Sequence, residues 1–174
     1  IVQAGWKQVG RTFERDDERT GISRKFALSS DGNTLAIAYK DAGDIESENK
    51  LTGLVDIYRR DLGRGQWDPL PSIRGKNFEK LGRHVRLSKN GTILAVTGIT
   101  PDPKAFGGTS PQIRTFLYDE ASSSWSELGE PIPNGERFEL SDDGRTLATL
   151  NRSKQVFVHR FDDTKKSWRT IINT

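Results

Sequence analysis

The sequence contains no cysteine and only two histidines among its 174 residues. Without cysteine the chain forms no disulfide frame and offers no thiolate as a metal ligand or nucleophile, an absence compatible with any redox compartment. His84 and His159 are too few for a histidine-rich zinc site, and a Cys–His dyad is excluded. No G-x-S-x-G segment supports a Ser-His-Asp arrangement. We therefore expect no catalytic residue, no cofactor and no enzymatic activity.

Apolar residues are also scarce, at 33% of the chain against 29% charged. This balance suits short, half-exposed strands better than a thick helical core. No run approaches the roughly 20 apolar residues of a membrane span, so no membrane insertion is expected. The net charge of +3 is a weak pointer to nucleic acid, because cations and anions nearly balance. Since the chain begins with Ile1 and shows no signal peptide, we expect a processed or partial chain. Its compartment stays open, with an organelle interior or the extracellular space favoured.

One phrase occurs three times along the chain. The copies are FALSSDGNTLA from Phe26, VRLSKNGTILA from Val85 and FELSDDGRTLA from Phe138. An Asp-Gly or Asn-Gly pair between apolar runs is a strong hairpin signal, because type I′ turns require positive φ. Each copy therefore predicts two antiparallel strands joined by a type I′ turn.

A third and a fourth strand follow each hairpin. The third-strand segments align without gaps and read VDIYRRD (55–61), IRTFLYD (113–119) and VFVHRFD (156–162). Each final aspartate precedes a tryptophan at one fixed spacing, and these residues are Trp67, Trp125 and Trp168. His159 aligns with Tyr58 and Phe116, so we expect a packing role for it rather than catalysis. Four strands in a unit of this length match one blade of a β-propeller.

We therefore predict an all-β fold, a β-propeller-like array of four-stranded antiparallel blades forming one repeat domain over residues 1–174. The complete blades are expected at 22–73, 81–132 and 135–172. Within residues 1–10, WKQVG matches only the fourth strand and predicts an orphan outer strand. A closed propeller typically has 4–8 blades, so three blades leave terminal faces that need caps or partners. Further copies of the chain, or adjoining blades of the same polypeptide, are the expected partners.

The phrase S-x-D-G-x-x-L-A, followed by a V-x-V-Y-like strand and a tryptophan strand, resembles blade repeats of the YVTN/PD40 and FG-GAP-like propeller families. Similar repeats occur in large algal multi-repeat proteins, some of which belong to secreted, organellar or shell-forming assemblies. The resemblance implies a fold and no chemistry. The turns SSDGNT, SKNGTI and SDDGRT lack the alternating oxygen ligands of a calcium loop, and Trp67-Asp68 lies in the wrong strand for a WD40 blade.

The loops between the second and third strands differ sharply among the blades, and such loops are the usual place for binding variation. In blade 1 the loop is acidic, with Asp41, Asp44, Glu46 and Glu48. It is the candidate for Ca²⁺, although a solvated loop without metal is the preferred interpretation. In blade 2 the Pro/Gly-rich loop carries Phe106, which is either a docking anchor for a partner or a local packing residue.

Two further groups are candidates for interaction. The stretch RGKNFEKLGRHVR would contact phosphate or an acidic partner through its cations, which are Arg74, Lys76, Lys80, Arg83 and Arg86. It lacks interleaved aromatic residues, so nucleic acid is not expected and a charged connection between blades is preferred. The tryptophans, Trp6 included, would suit sugar stacking, but their repeated position favours packing of the blades.

Three functions remain open. The first is a non-enzymatic scaffold that assembles through open blade edges and variable loops, as part of a larger propeller or a self-assembling shell or lattice. The second is a ligand-binding or hydrolytic propeller that uses the central funnel, where the inner strands offer Lys25, Arg86 and Glu139. The third is binding of an anionic polymer through the basic connections. The sparse set of funnel residues ranks the scaffold first.

Overall fold

The computed structural model describes residues 5–10, 12–13, 24–43, 51–105 and 107–173. These ranges contain strands and turns, and none of them contains a helix that is able to cross a membrane. In chain order the strands are β1 (Arg24–Leu28), β2 (Thr34–Tyr39), β3 (Leu54–Asp61), β4 (Gln66–Arg74), β5 (Val85–Leu87), β6 (Ile93–Pro101), β7 (Thr109–Asp119), β8 (Ser124–Glu127), β9 (Ile132–Pro133), β10 (Arg137–Leu140), β11 (Thr146–Leu150), β12 (Val156–Asp162) and β13 (Ser167–Asn173).

The strands form three antiparallel sheets, which we call blades 1, 2 and 3. Their strand orders are β1-β2-β3-β4, β5-β6-β7-β8 and β10-β11-β12-β13, and the short strand β9 adds to β7 in blade 2. In every blade the tryptophan strand pairs only with the third strand, at the outer edge of the sheet. This arrangement confirms the predicted all-β fold of four-stranded antiparallel blades.

The hairpin turns differ from the predicted type I′ turn. In blade 1, the Gly32 N–H donates to the Ser29 carbonyl at 2.9 Å, and φ is positive at Gly32 but not at Asp31. A type I′ turn requires positive φ at both central residues, so that prediction is wrong. The side chains explain the difference, because the Asp31 carboxylate accepts from the Ser29 hydroxyl at 2.6 Å and from the Asn33 N–H at 2.9 Å. The serine and the acid or amide of the phrase therefore build a four-residue loop.

The turn glycines also let neighbouring blades approach closely. A Cβ atom at Gly91 would lie 2.2 Å from Thr34 Oγ1, and one at Gly144 would lie 2.6 Å from Ile93 Cδ1. Each of these glycines thus meets the second strand of the preceding blade. A Cβ atom at Gly32, in blade 1, would meet nothing within 4 Å. The repeated glycine therefore serves blade packing as well as turn geometry.

Backbone hydrogen bonds join the three turns into one rim. The Asp31 N–H donates to the Lys89 carbonyl at 3.0 Å, and the Lys89 N–H donates to the Asp142 carbonyl at 2.8 Å. The Ser30 hydroxyl also reaches the Asp142 carboxylate at 3.3 Å, from blade 1 to blade 3. The innermost hairpins of the three blades therefore converge at this rim.

Apolar side chains fill the two spaces between the blades. Between blades 1 and 2 they include Ala36, Val55, Ile57, Val85 and Leu94. Between blades 2 and 3 they include Ala95, Ile113, Ile132, Phe138 and Leu147. Alanines pack beside larger residues in both clusters, which lets the two sheets approach closely.

The predicted orphan outer strand is not formed. Residues 5–10 are described and have no strand conformation, and the Trp6 side chain is fully exposed. In the other blades the outer strand pairs with a third strand, and none lies beside this segment in the described part of the chain. Instead, the Val9 carbonyl accepts a hydrogen bond from Trp67 Nε1 at 3.3 Å. The Phe13 ring lies 4.7 Å from that of Tyr58. This part of the N-terminal segment therefore packs against blade 1.

Candidate functional site

The innermost strands bring three basic side chains to the inner edge of the blades, the side that faces the central channel in a complete propeller. Lys25, His84 and Arg137 occupy the same position in their blades, one residue before the phrase that ends in the turn. The register of the hairpins places the three residues at the same height. Lys25 pairs with Ala38 and Arg137 pairs with Leu150 on the second strands of their blades. The His84 carbonyl accepts a hydrogen bond from the N–H of Thr97, the equivalent residue of blade 2, at 2.9 Å. Each blade thus contributes one basic group at one height of the channel, and we call these three residues the basic ring.

An ion pair lies beside the basic ring and joins blades 2 and 3. Arg86 Nε and Nη2 donate to Glu139 Oε2 and Oε1, both at 2.8 Å, and Arg86 Nη1 donates to the Val85 carbonyl at 3.0 Å. A bidentate pair of this kind fixes the plane of the guanidinium group. The hydrogen bonds from Arg86 lower the pKa of Glu139, so this carboxylate is a weak base.

His84 is half-buried in this cationic surrounding. Burial lowers the pKa of His84 from its ordinary value of 6.5, and the charges of Lys25, Arg83, Arg137 and Arg86 lower it further. The imidazole is therefore neutral at neutral pH and is able to accept a proton. A neutral base next to fixed positive charges is an arrangement that suits proton transfer on an anionic substrate.

The ring retains positive charge for a ligand. Within the described residues, no carboxylate forms an ion pair with Lys25 or Arg137, and both side chains are exposed. Glu139 faces Arg86 and neutralises only that cation. A channel with one sign of charge concentrates ligands of the opposite sign. The geometry therefore favours a small anion.

The basic stretch that the sequence singled out is divided between two surfaces. Arg83 and Arg86 lie with the basic ring. Arg74 is exposed at the end of β4, where its Nη1 donates to the Gly43 carbonyl at 3.3 Å. Lys76 is exposed in the connection between blades 1 and 2, and Lys80 is half-buried there with φ of 47°. The five cations therefore do not form one patch.

A buried acid lies in the middle of this stretch. The Glu79 side chain is 2% exposed, and its Oε2 accepts from Arg114 Nη1 at 2.9 Å. Glu79 also accepts from Gln112 Nε2 at 3.1 Å and from the Lys76 N–H at 2.6 Å. Glu127 is a second carboxylate partner of Arg114. This network anchors the connection to blade 2, and sequence reasoning missed it because a lone acid among cations looks solvated.

The loop candidates fall largely outside the described residues. Asp44, Glu46, Glu48 and Phe106 are not described. Asp41 is half-buried, with Oδ2 3.5 Å from Lys40 Nζ. Among the residues that the structure describes, no group of three or more His, Cys, Asp or Glu side chains is arranged to hold a metal ion. The calcium and docking hypotheses for these loops remain predictions.

His159 lies between two threonines in blade 3. Its Nε2 is 3.1 Å from Thr149 Oγ1, and its Nδ1 is 3.1 Å from Thr170 Oγ1. Burial lowers the pKa of His159, so this imidazole is neutral. The hydroxyl partners come from neighbouring strands, and the alignment with Tyr58 and Phe116 gave no signal for them.

Comparison with known proteins supports the fold. No protein-family model matches the sequence, and no curated protein matches it significantly. Among solved structures, Sqt1 of Saccharomyces cerevisiae matches with a TM-score of 0.58 at 8% identity, over 96% of this chain and 38% of that one. A protein assigned as a 6-phosphogluconolactonase of Bacteroides fragilis matches with a TM-score of 0.55 at 18% identity, over 84% and 37%. The periplasmic gluconolactonase of Pseudomonas aeruginosa matches with a TM-score of 0.55 at 19% identity, over 91% and 40%.

These similarities establish a β-propeller fold and no finer family. The chain spans 37–40% of the length of these three structures. The similarities also correct the expected function. Two of the three carry lactonase names, so proteins of this fold include hydrolytic enzymes, and the fold does not by itself indicate a non-enzymatic scaffold. The expectations of a self-assembling structural protein and of no enzymatic activity are therefore wrong. The preference for the scaffold rested on three dissimilar funnel residues, whereas the folded blades bring six ionisable groups together.

Proposed function

We propose that the three blades form part of a propeller whose central channel binds a small anionic lactone or ester and hydrolyses it. The observation that carries this proposal is the basic ring, in which three blades supply Lys25, His84 and Arg137 at one height of the channel. The names of the two lactonases of similar fold support a lactone as the substrate class. One of these names specifies a phosphorylated sugar lactone, which matches the positive charge of the ring.

Lys25 and Arg137 are assigned to substrate binding. The Arg137 guanidinium is able to donate two parallel hydrogen bonds to a carboxylate or phosphate, whereas the Lys25 ammonium acts as a point charge. Both side chains are exposed to the channel solvent before the ligand enters. Binding of the anionic group at this position holds the reactive carbonyl near the remaining members of the cluster.

His84 is assigned as the general base. In this step a water molecule attacks the carbonyl carbon of the lactone while the neutral His84 imidazole takes one of its protons. The carbonyl oxygen becomes an oxyanion, and the N–H groups of Arg86 that do not bind Glu139 or Val85 are assigned to stabilise it. The bond from carbon to the ring oxygen then breaks, and the imidazolium returns its proton to the leaving oxygen. The product is the open hydroxy acid, and the histidine is neutral again.

The test is hydrolysis of glucono-δ-lactone and its 6-phosphate, followed as acid release above the uncatalysed rate. General base catalysis contributes roughly 10²–10⁴-fold, so His84→Gln should lower kcat by about 100-fold or more. Arg137→Ala should raise KM for the phosphorylated lactone more than for the neutral one. Lys104→Ala removes an exposed cation from the loop between β6 and β7, outside the basic ring, and is the control, which should leave both constants unchanged.

The proposal fails if the protein does not accelerate hydrolysis of either lactone. It also fails if His84→Gln retains full activity while its thermal midpoint matches that of the parent. Equal effects of Arg137→Ala on the phosphorylated and the neutral lactone would contradict the binding role of the ring.

A further inference from the structure

A cleft of about 430 Å³ lies between blades 2 and 3, apart from the basic ring. Its walls come from the segment after β8, from β11 and from the two outer strands of blade 3. We propose that this cleft is a second ligand site and that it binds a small neutral saccharide. The proposal does not depend on the proposed hydrolytic function, because the cleft and the basic ring share no residue.

Aromatic rings form one wall of the cleft. Trp168 is half-buried, and its Nε1 donates to Thr115 Oγ1 and to the Leu128 carbonyl, both at 3.0 Å. These hydrogen bonds direct the indole N–H into blade 2 and hold the ring as a fixed platform. The Phe157 ring stacks on His159 with the ring centres 6.3 Å apart and the planes at 21°. A rigid aromatic surface offers apolar contact to the C–H face of a sugar ring.

Uncharged polar groups complete the cleft. Thr149, His159 and Thr170 form a hydrogen-bonded chain, and burial keeps the imidazole of this chain neutral. Asn134 and Asn151 also line the cleft with amide groups, and that of Asn151 is held by hydrogen bonds to Gln155. Hydroxyl and amide groups of this kind both donate and accept, as the hydroxyl groups of a sugar require.

The charge of the cleft excludes an anion as the preferred ligand. Among the lining residues, Glu130 is the one that carries charge at neutral pH, and this charge is negative. A carboxylate repels a phosphate or a carboxylate ligand but accepts hydrogen bonds from sugar hydroxyls. The ligand class therefore differs from that of the basic ring.

The size and the continuation of the cleft suit one or two sugar rings. Pockets for small ligands span roughly 300–1,000 Å³, and this cleft lies toward the small end of that range. Asn134 and Asn151 also line an adjoining groove of about 270 Å³ together with Ser110 and Arg152. The two asparagines therefore lie at the junction of the cleft and the groove, where the second sugar ring of a disaccharide would extend from one into the other.

Asn134 gives a clean variant for the test. Its φ is 61°, a backbone conformation that glycine adopts without strain, and its side chain is exposed. Asn134→Gly therefore removes the amide group while the turn is retained. Ser123→Gly is the matched control, because Ser123 also has positive φ (49°) and is exposed in a turn that does not line the cleft.

The experiment is an NMR titration with glucose and maltose as probes. Only His84 and His159 contribute imidazole signals, and His84→Gln assigns them. We expect saturable shifts at the His159 imidazole and at the Trp168 indole N–H, with Kd on the order of 1 mM. Asn134→Gly should weaken binding several-fold, whereas Ser123→Gly and His84→Gln should bind as the parent does.

The proposal is overturned if neither signal shows a saturable shift up to about 100 mM sugar. At that concentration a site with a Kd on the order of 1 mM would be almost fully occupied. Unchanged affinity in Asn134→Gly would also overturn it. Tighter binding of gluconate or of an alkylammonium ion than of maltose, read at the His159 imidazole signal of the cleft, would refute the assignment of a neutral ligand. Loss of lactone hydrolysis in His84→Gln with intact maltose binding would leave this proposal standing.

Discussion

Truncation of Trp168 tests how the outer strands hold the blades together. The indole packs edge-on against the Phe161 ring at 5.3 Å and joins two apolar clusters between blades 2 and 3. Its N–H donates across the interface to Thr115 and to the Leu128 carbonyl. Trp6 is the natural control, because its side chain is fully exposed. Trp168→Ala should therefore destabilise the protein, and Trp6→Ala should not.

The magnitudes follow from these contacts. A buried Trp→Ala change costs about 3–5 kcal/mol, and since Trp168 is half-buried we expect about 3 kcal/mol. Trp168→Phe keeps an aromatic ring but removes the N–H donor and part of the ring volume, so it should cost about 1–2 kcal/mol, less than Trp168→Ala. Trp6→Ala should stay within about 0.5 kcal/mol of the parent.

The assay is urea unfolding followed by far-UV circular dichroism, because fluorescence would change with each removed tryptophan. The slope of the free energy of unfolding with urea should stay constant across the three variants. A loss below about 0.5 kcal/mol in Trp168→Ala, within the range of surface substitutions, would refute the packing role. An equal loss in Trp6→Ala would refute the assignment of the Trp6 side chain as exposed.

Three further predictions follow from the structure. Ser88→Ala removes the hydroxyl that accepts a strand N–H at 3.0 Å, and should cost about 1 kcal/mol in urea unfolding. Glu79→Ala leaves a buried guanidinium group without its main partner and should cost about 3–5 kcal/mol. Glu127→Ala should cost only about 0.2–1 kcal/mol, because that carboxylate is 42% exposed, and equal losses for the two acids would contradict the network. Burial lowers the pKa of both His84 and His159 below 6.5, so the unfolded state binds more protons in mildly acidic solution and stability should fall as the pH drops below 6.5. His159→Gln should flatten this fall in thermal midpoints measured across that range, and an unchanged pH profile would refute the assignment.

The strands were predictable from the sequence because each signal is local. Alternating apolar residues on both sides of a Gly-containing turn define β1 and β2, and the same phrase marks the other two hairpins. The turn type was not predictable from Asp31-Gly32 alone, since the hydrogen bonds of Ser29 decide the conformation. The orphan strand was a false match, because Trp6 fits the pattern while no third strand in the described chain pairs with it.

The candidate site was predictable only in part. Lys25, Arg86 and Glu139 were identified from their places on the inner strands. The bidentate pair of Arg86 and Glu139, and the level position of His84 and Arg137, depend on how closely the blades converge. The sequence pattern defines each blade separately and does not show how closely neighbouring blades converge at their inner strands.

Burial of Glu79 illustrates the same limit. Its partner Arg114 lies in another strand of the next blade, and a Cβ atom at Gly98 would fall 2.7 Å from Glu79 Cγ. The missing side chain of Gly98 therefore makes the space that the acid fills. The sequence alone shows only a single acid within a run of cations, which does not reveal that the acid is buried.

The backbone hydrogen bonds of Lys89 to both neighbouring turns hold the three inner turns together at one end of the blades. The two ends of the blades should therefore differ in how well they tolerate an insertion. A foreign peptide grafted into any of the three innermost turns would pull apart two blades at once, since Lys89 is tied on both sides. At the opposite end the loops already differ in length and composition from blade to blade. Epitopes, fluorophores or whole inserted domains should therefore be tolerated near Pro103 and Lys104, both of which are exposed, and rejected near Lys89.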